Sequence, residues 1–205
     1  MVGGPHHGSP EREGAAHTGV VASPGAGTAL LIIDMQVAVV RGSPDLGAVV
    51  ERINQLQRRA RAAGAPVVYI QHHDAEGELV RGEPDWELVA GLDRSAGTVV
   101  AKTYLDRFAG TELLAVLAAH GTTRLVLTGA ASNYCVYTTA LSAVARGFAV
   151  TLARDAHLTD DTSVADASGA ALPAAAVSQF INDEVARLDG PGRLVEVVPA
   201  TEVRF

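Results

Sequence analysis

The chain is poor in cysteine and in aromatic residues, and it carries no excess of positive charge. Its 205 residues include one cysteine, Cys135, which excludes an intramolecular disulfide. The net charge of −7 and the lack of a long basic run argue against nucleic acid as a partner. No apolar run approaches the roughly 20 residues that a membrane span needs, so no membrane partner is expected.

The overall amino-acid composition is that of a globular protein. Hydrophobic residues make up 48% and charged residues 19%, which is enough for a full core. Residues 1–27 are rich in Gly, Pro, Ser, Ala and His and are predicted to form a mobile tail, while residues 28–205 are predicted to form a single domain. The first residues lack the charged and apolar regions of a signal peptide, which favours a soluble cytoplasmic protein.

Apolar runs alternate with helical stretches from residue 28 onwards. The runs are continuous, as expected for strands that are buried on both faces. Strands that alternate with helices predict crossover connections, so the predicted fold is a three-layer α/β/α, Rossmann-like domain with a six-stranded, mostly parallel sheet. The predicted strands are 29–33, 67–71, 98–101, 124–128, 148–152 and 194–198, and the predicted helices are 45–63, 110–120, 133–146 and 173–188.

Three polar residues each come just after an apolar run: Asp34, Lys102 and Cys135. In an open parallel sheet the carboxyl ends of the strands meet at one edge, where ligands bind. A base, a cation and a thiol that meet there could carry out covalent acyl transfer. Taken singly, each has a plainer interpretation: Asp34 could cap a turn, Lys102 could be solvated and Cys135 could be a small buried residue.

The segment that leads to Cys135 reads Gly-Ala-Ala-Ser-Asn-Tyr-Cys. Its small residues allow a tight turn, and Ser132 or Asn133 could cap the helix that follows. Cys135 would then lie in the first helical turn, where free N–H groups and the helix dipole favour a thiolate and could hold an oxyanion.

The sequence gives weak support to a metal or phosphate site. His72, His73 and Asp74 follow the second strand, but adjacent side chains of an extended chain point to opposite faces, so both histidines cannot easily bind one ion. His72 and Asp74 could share a face, yet no clear third ligand is beside them, so neither a metal nor a cofactor is predicted. A Cys–His dyad that uses His72 or His157 stays open. No glycine-rich phosphate loop follows the first strand.

The segment 73–97 is long and irregular, and it contains the single tryptophan, Trp86. Such segments are often functional, although a passive surface cover is an alternative. We predict that the segment covers the cysteine site and that Trp86 forms an apolar wall of the pocket. Val39, Tyr104 and Tyr134 are the other predicted substrate-binding residues, because they are close in sequence to the three polar residues.

Several blocks resemble the isochorismatase-like cysteine hydrolase superfamily, which includes nicotinamidases, N-carbamoylsarcosine amidases and isochorismatases. The resemblance covers about residues 28–185, with the blocks in the family's order and spacing. The blocks are Leu31–Gln36, Ala101–Phe108, Thr128–Val136, Arg146–Val150 and Asp155–Ala156.

The resemblance implies a six-stranded parallel sheet between helices, often in a homo-oligomer such as a dimer or tetramer. It implies that Asp34 is the general base, Lys102 its charged partner and Cys135 the nucleophile. A cis peptide bond of the family maps to Ala130–Ala131. The backbone N–H groups of Ala131 and Cys135 would then form the oxyanion hole.

Departures from the family pattern bear on the substrate. Val39 stands where the family often has an aromatic residue, and His72-His73-Asp74 stands where nicotinamidases have Asp-x-His for zinc. Many isochorismatases lack the cysteine, so Cys135 favours C–N over vinyl-ether cleavage. The leading hypothesis is a cysteine-dependent hydrolase of an amide, lactam or ureido bond in a small molecule. The alternatives are a vinyl-ether hydrolase with Asp34 as acid and a non-catalytic binding or assembly protein.

Overall fold

The computed structural model describes residues 27–95, 97–104, 106–162, 164–190 and 194–205. The tail predicted over residues 1–27 therefore lies outside the described residues, apart from Gly27. Within them, six strands follow one another along the chain. They are β1 (Thr28–Ile33), β2 (Val67–His72), β3 (Thr98–Lys102), β4 (Arg124–Ala130), β5 (Ala149–Leu158) and β6 (Val195–Val198).

The six strands form one sheet in the order β3-β2-β1-β4-β5-β6, and every neighbouring pair is parallel. The order reverses between β1 and β4, which lie side by side in the middle of the sheet. Open α/β sheets bind ligands at such a reversal, outside the carboxyl ends of the strands. The predicted parallel α/β fold is confirmed.

Helices lie on both faces of the sheet and complete the three layers. Four of them match the predicted helices, and a short extra helix follows β1. The helices are α1 (Val37–Val40), α2 (Leu46–Ala62), α3 (Leu113–Ala119), α4 (Tyr137–Ala145) and α5 (Ala174–Ala186), and a π-helical turn at Ser132–Val136 precedes α4. In the described ranges, no helix has both the length and the apolar character to cross a membrane.

Alternate residues of the central strand β1 point into two separate cores. Leu30 and Ile32 pack with α2 on one face. Leu31 and Ile33 pack with α3, α4 and α5 on the other face. All of β1 is buried, so the next residue, Asp34, begins inside the protein rather than at its surface.

Strand β5 extends to Leu158, well beyond the end that the apolar pattern predicts. Its second half pairs with the last residues of β4, with His157 opposite Gly129, after a shift in register. The polar residues Arg154 and Asp155 interrupt the apolar run, which is why the pattern ended the strand too early. The longer strand brings His157 next to the segment that follows β4.

Gly129 allows β4 to approach β1 closely. Its φ is 110°, and a Cβ atom there would lie 2.1 Å from the carbonyl oxygen of Ile33. No side chain fits so near a backbone atom, so glycine is required at this point. The close approach puts the segment after β4 beside Asp34, which follows Ile33.

Candidate active site

Asp34 and Lys102 form a buried ion pair at the carboxyl edge of the sheet. Asp34 follows β1, Lys102 is the last residue of β3, and both side chains are 1% exposed. The distance from Lys102 Nζ to Asp34 Oδ2 is 2.7 Å. The expectation that the two residues lie within hydrogen-bond reach is confirmed. Each charge compensates for the hydration that the other has lost.

The backbone of Asp34 is held in an unusual conformation. Its φ is 45°, in the left-handed region that residues other than glycine rarely adopt. Its N–H donates to the carbonyl of Ile70 in β2, and its own carbonyl accepts from the N–H of Gln36. These two bonds stabilise a costly conformation at the point where the carboxylate meets Lys102.

Arg107 is a second cation on the same carboxylate, and no role for it was predicted from the sequence. It is fully buried, and its Nη2 lies 3.3 Å from Asp34 Oδ2. Its Nη1 donates a hydrogen bond to the carbonyl of Tyr104, which fixes the guanidinium. The signal in the sequence that could have indicated a role for Arg107 is its position in the family-like block Ala101–Phe108. An arginine in an irregular segment belongs to no periodic pattern that would predict its contacts. We call Asp34, Lys102 and Arg107 the charged cluster.

The thiol of Cys135 lies against the charged cluster. Its Sγ is 3.9 Å from Lys102 Nζ, which donates to it. Burial and then the negative charge of Asp34 raise the pKa of Cys135 to about 11, while Arg107 and Lys102 act in the opposite direction. The sulfur is therefore a thiol at neutral pH and needs a base before it can act as a nucleophile.

Cys135 lies in the first turn of the helical segment, as predicted, but the predicted cap and the predicted lowered pKa are wrong. Cys135 lies in the π-helical turn before α4, and neither Ser132 nor Asn133 caps a helix. The Ser132 hydroxyl instead bonds to His157, and the Asn133 side-chain oxygen accepts from Thr159. Burial and the charge of Asp34 raise the pKa of Cys135 rather than lower it.

A cis peptide bond joins Ala130 to Ala131, as the family resemblance implied. The carbonyl of Ala131 accepts hydrogen bonds from the N–H groups of Tyr134 and Val136. These donors shape the turn, and they are different from the two predicted oxyanion donors, the N–H groups of Ala131 and Cys135.

A hydrogen-bonded chain without formal charge starts from Ser132, in the turn that carries Cys135. The Ser178 and Ser132 hydroxyls are 3.0 Å apart, Ser132 Oγ is 2.8 Å from His157 Nδ1, and His157 Nε2 is 3.0 Å from Asn182 Oδ1. An amide oxygen only accepts, so Nε2 carries the proton and Nδ1 accepts from Ser132. Burial lowers the pKa of His157, so the ring is neutral. We call these four residues the neutral chain.

Neither histidine that was considered for a Cys–His dyad is arranged as a base for the thiol. Both ring nitrogens of His157 are occupied within the neutral chain. His72 Nδ1 lies 3.1 Å from Lys102 Nζ, and His72 Nε2 lies 2.8 Å from Asp74 Oδ1. Across the ranges that the structure describes, no group of three or more His, Cys, Asp or Glu side chains is arranged to hold a metal ion.

The four predicted substrate-binding residues differ in exposure. Tyr104 and Tyr134 are 63% and 50% exposed. Val39 is partly buried against the core beneath α2. Trp86 is also partly buried, and the guanidinium carbon of Arg81 lies 5.9 Å from its ring centroid. Their contact with a substrate stays a prediction.

The segment 73–97 packs along the residues that follow β1. The Val37 N–H donates to the carbonyl of Glu87, and the Gln36 side chain donates to the carbonyl of Trp86. These bonds tie the segment to the chain near Asp34. Its role as a cover over the cysteine stays a prediction.

A cleft of about 160 Å³ opens near the neutral chain, between the start of α2, the end of β5 and the start of α5. His157 and Ser178 line it, whereas the charged cluster and Cys135 do not. Ligand pockets are typically about 300–1,000 Å³. The cleft is therefore not assigned as the substrate site.

The fold and site together define a parallel α/β protein with a buried acid and cation and a half-buried thiol at the carboxyl edge of its sheet. A family model described as the isochorismatase domain matches residues 28–179. This range includes Asp34, Lys102 and Cys135. The chain belongs to the isochorismatase family.

Curated relatives carry the names of hydrolases. A streptothricin hydrolase from Streptomyces noursei is 39% identical over 166 residues, which cover 77% of this chain and 60% of the relative. A ureidoacrylate amidohydrolase from Yersinia enterocolitica is 29% identical over 160 residues, which cover 58% of this chain and 70% of the relative. The chain spans less than two thirds of the length of the streptothricin hydrolases that it matches.

Solved structures share the fold. A cysteine hydrolase from Pseudomonas syringae pv. phaseolicola 1448A is 26% identical with a TM-score of 0.74, over 87% of this chain and 91% of that one. An isochorismatase from Pseudomonas putida KT2440 is 26% identical with a TM-score of 0.77, over 88% of this chain and 92% of that one.

Proposed function

We propose that the protein is a cysteine-dependent hydrolase that cleaves a C–N bond in an amide, lactam or ureido group of a small molecule. The observation that carries the proposal is the position of Lys102. Its ammonium lies 2.7 Å from Asp34 Oδ2 and 3.9 Å from Cys135 Sγ. A carboxylate, an ammonium and a thiol at these distances can generate and stabilise a thiolate.

Asp34 is the base in this proposal. The pKa of Cys135, raised to about 11, leaves very little thiolate at neutral pH. Asp34 Oδ2 pairs with two cations, whereas Oδ1 has no hydrogen-bond partner among the described residues. Oδ1 is therefore the oxygen that takes the thiol proton. Once Asp34 is neutral, the charges of Lys102 and Arg107 stabilise the new thiolate.

The first half-reaction forms a thioester. Cys135 Sγ attacks the carbonyl carbon, a C–S bond forms, and the π electron pair of the carbonyl moves to oxygen. The N–H groups of Ala131 and Cys135 are the proposed donors to this oxyanion. The oxyanion then re-forms the C=O bond, the C–N bond breaks, and the leaving nitrogen keeps that bond's electron pair and takes the proton from Asp34.

The second half-reaction restores the enzyme. Asp34, again an anion, removes a proton from water, and the water oxygen attacks the thioester carbon. The new oxyanion collapses, the C–S bond breaks, and the Cys135 sulfur recovers the proton from Asp34. Lys102 stays protonated throughout and keeps the charge balance of the site.

The names of similar proteins support C–N cleavage over the alternatives. One relative is a ureidoacrylate amidohydrolase by name, and one structural neighbour is a cysteine hydrolase. Vinyl-ether cleavage needs an acid but no nucleophilic sulfur, so it would leave the thiol beside Lys102 unused. Val39, Trp86, Tyr104 and Tyr134 are proposed to contact the substrate, and the homo-oligomer implied by the resemblance stays a prediction.

Turnover of a substrate panel tests the proposal. The panel contains primary amides, lactams, ureido acids including ureidoacrylate, streptothricin and isochorismate, with products measured by mass spectrometry. We expect the wild-type protein to hydrolyse at least one C–N substrate. Cys135→Ala should reduce that activity at least about a thousandfold, because it removes the nucleophile. The fold should persist, because the change removes a single side-chain atom.

Three other outcomes would change the conclusion. C–N hydrolysis by Cys135→Ala at the wild-type rate would contradict the covalent mechanism. Vinyl-ether hydrolysis that survives in Cys135→Ala would favour the isochorismatase-type reaction with Asp34 as acid. Binding of panel compounds without turnover by the wild-type protein would favour a non-catalytic role.

A further inference from the structure

His72 touches the charged cluster but has no part in the mechanism above. It is the last residue of β2, and it lies directly opposite Lys102 in the register between β2 and β3. Its side chain is 20% exposed. Because the two strands end side by side, the imidazole ring lies against the Lys102 ammonium.

The Lys102 ammonium has three N–H groups and three acceptors. Asp34 Oδ2 lies 2.7 Å from Nζ, His72 Nδ1 lies 3.1 Å from it, and Cys135 Sγ lies 3.9 Å from it. An ammonium has three donors and no acceptor, so these contacts use all of them. Loss of one acceptor would leave a buried N–H unsatisfied or let the long side chain move.

The tautomer of His72 follows from these partners. Lys102 only donates, so His72 Nδ1 accepts and Nε2 carries the proton. Nε2 then donates to Asp74 Oδ1, 2.8 Å away. The backbone of His72 is also fixed, because the Gln36 side chain donates to its carbonyl and accepts from its N–H.

We propose that His72 is a positioning residue that holds the Lys102 ammonium between Asp34 and Cys135, with Asp74 selecting the tautomer that can do so. Its effect on turnover rests on the proposed function. The effect of His72 on the Cys135 thiol can be measured without a substrate. Loss of His72 would displace the Lys102 ammonium, which stabilises the thiolate, whether or not a substrate is bound. Lys102 faces the ring from β3 and Asp74 faces it from the segment after β2.

Two amide variants separate the two contacts of His72. His72→Asn keeps an acceptor near the position of Nδ1 and loses the reach to Asp74. His72→Gln keeps a polar group near the position of Nε2 and loses the acceptor for Lys102. We expect iodoacetamide to alkylate Cys135 about tenfold or more slowly in His72→Gln than in His72→Asn, because a small misplacement of Lys102 weakens the thiolate. On a C–N substrate, kcat should follow the same order with KM little changed.

His73→Gln is the matched control, since adjacent side chains of an extended chain point to opposite faces. Iodoacetamide should alkylate Cys135 in this variant at the wild-type rate. Equal alkylation rates in the two His72 variants, or a slower rate in His72→Asn, would overturn the proposal, because a purely structural role treats both amides alike. If the two variants differ in alkylation but Cys135 forms no thioester during turnover, the proposed function fails and the positioning role stands.

Discussion

Two polar groups contact the turn that carries Cys135, and they are built from different kinds of side chain. The charged cluster buries one anion and two cations. The neutral chain buries hydroxyls, an amide and an uncharged imidazole that pass hydrogen bonds in one direction. Both groups contact the turn Ser132–Val136. We therefore attribute their different composition to different roles at this turn.

The physical costs of the two groups differ. Burying an ion pair requires the removal of strongly held water, and replacing such a pair by apolar residues is often neutral or stabilising. A fully satisfied chain of neutral hydrogen bonds rigidifies its surroundings without that cost. The charged cluster is therefore better explained by chemistry at Cys135, and the neutral chain by the placement of the turn.

Asp34→Asn should have the largest effect, because it removes the proposed base and leaves two buried cations without a counter-ion. We expect turnover to fall at least about a hundredfold. The free energy of unfolding should fall by about 3–5 kcal/mol, measured by chemical denaturation. Asp45→Asn at the exposed start of α2 is the control and should leave both quantities near wild type. Near-wild-type turnover by Asp34→Asn would show that the charged cluster has a structural role only. The charged cluster and the neutral chain would then not differ in function.

Arg107→Gln should have a smaller effect, because Asp34 keeps Lys102 as a partner. Arg107 lowers the pKa of Cys135, so its loss should raise the pKa of the thiol further. We expect turnover to fall about tenfold, equivalent to about 1.4 kcal/mol, and alkylation of Cys135 to require a higher pH. Arg146→Gln is the control, since that guanidinium lies over the Phe108 ring and outside the cluster. An equal loss in the control would show that the effect does not come from charge beside the thiol.

Asn182→Ala tests the neutral chain. The change removes the acceptor for His157 Nε2 and the donor to the carbonyl of Arg154. We expect a loss of about 1–3 kcal/mol in the free energy of unfolding, because a buried N–H is left unpaired. Turnover by the folded variant should change less than in Arg107→Gln. Gln179→Ala, on the exposed face of the same helix, should change neither quantity. A catalytic loss as large as that of Asp34→Asn would mean that both regions take part in the chemistry.

The neutral chain also predicts a small acid sensitivity. Burial lowers the pKa of His157, so the unfolded chain, in which a histidine has a pKa of about 6.5, binds a proton before the native state does. The contribution of His157 to stability is complete above about pH 6.5 and is lost as the pH falls through the lower native pKa. His157→Gln should lack this component, so its unfolding free energy should fall less steeply below about pH 6.5. Identical slopes in wild type and variant would contradict a neutral, buried His157.

The sequence predicted the strands and the meeting of Asp34 and Lys102 for a clear physical reason. Strands buried on both faces leave continuous apolar runs, and the residue after such a run must lie at the sheet edge. The same reasoning could not find the contacts of Arg107 or His72. Those depend on the path of an irregular segment and on the register between β2 and β3, neither of which leaves a pattern in the sequence.

The expectation that Cys135 has a lowered pKa is wrong for an energetic reason. A cysteine near the start of a helix suggests a lowered pKa, but the sign of the shift depends on how deeply the sulfur is buried and which charge lies nearest. Burial and Asp34 prevail in this protein, and the pKa rises to about 11. The role of Ser132 was missed in a similar way, since its partner His157 lies in the part of β5 that the apolar pattern did not include.

Trapping of the acyl group on Cys135 tests the central claim most directly. Hydroxylamine is added during turnover of the panel compound that is hydrolysed fastest, and the products are measured. A parallel sample without hydroxylamine is quenched in acid for mass analysis of the Cys135 peptide. The account predicts that hydroxylamine diverts the product from the acid to the hydroxamate, and that the acyl mass maps to Cys135. Formation of the acid alone at an undiminished rate, with no hydroxamate and no adduct on Cys135, would contradict it.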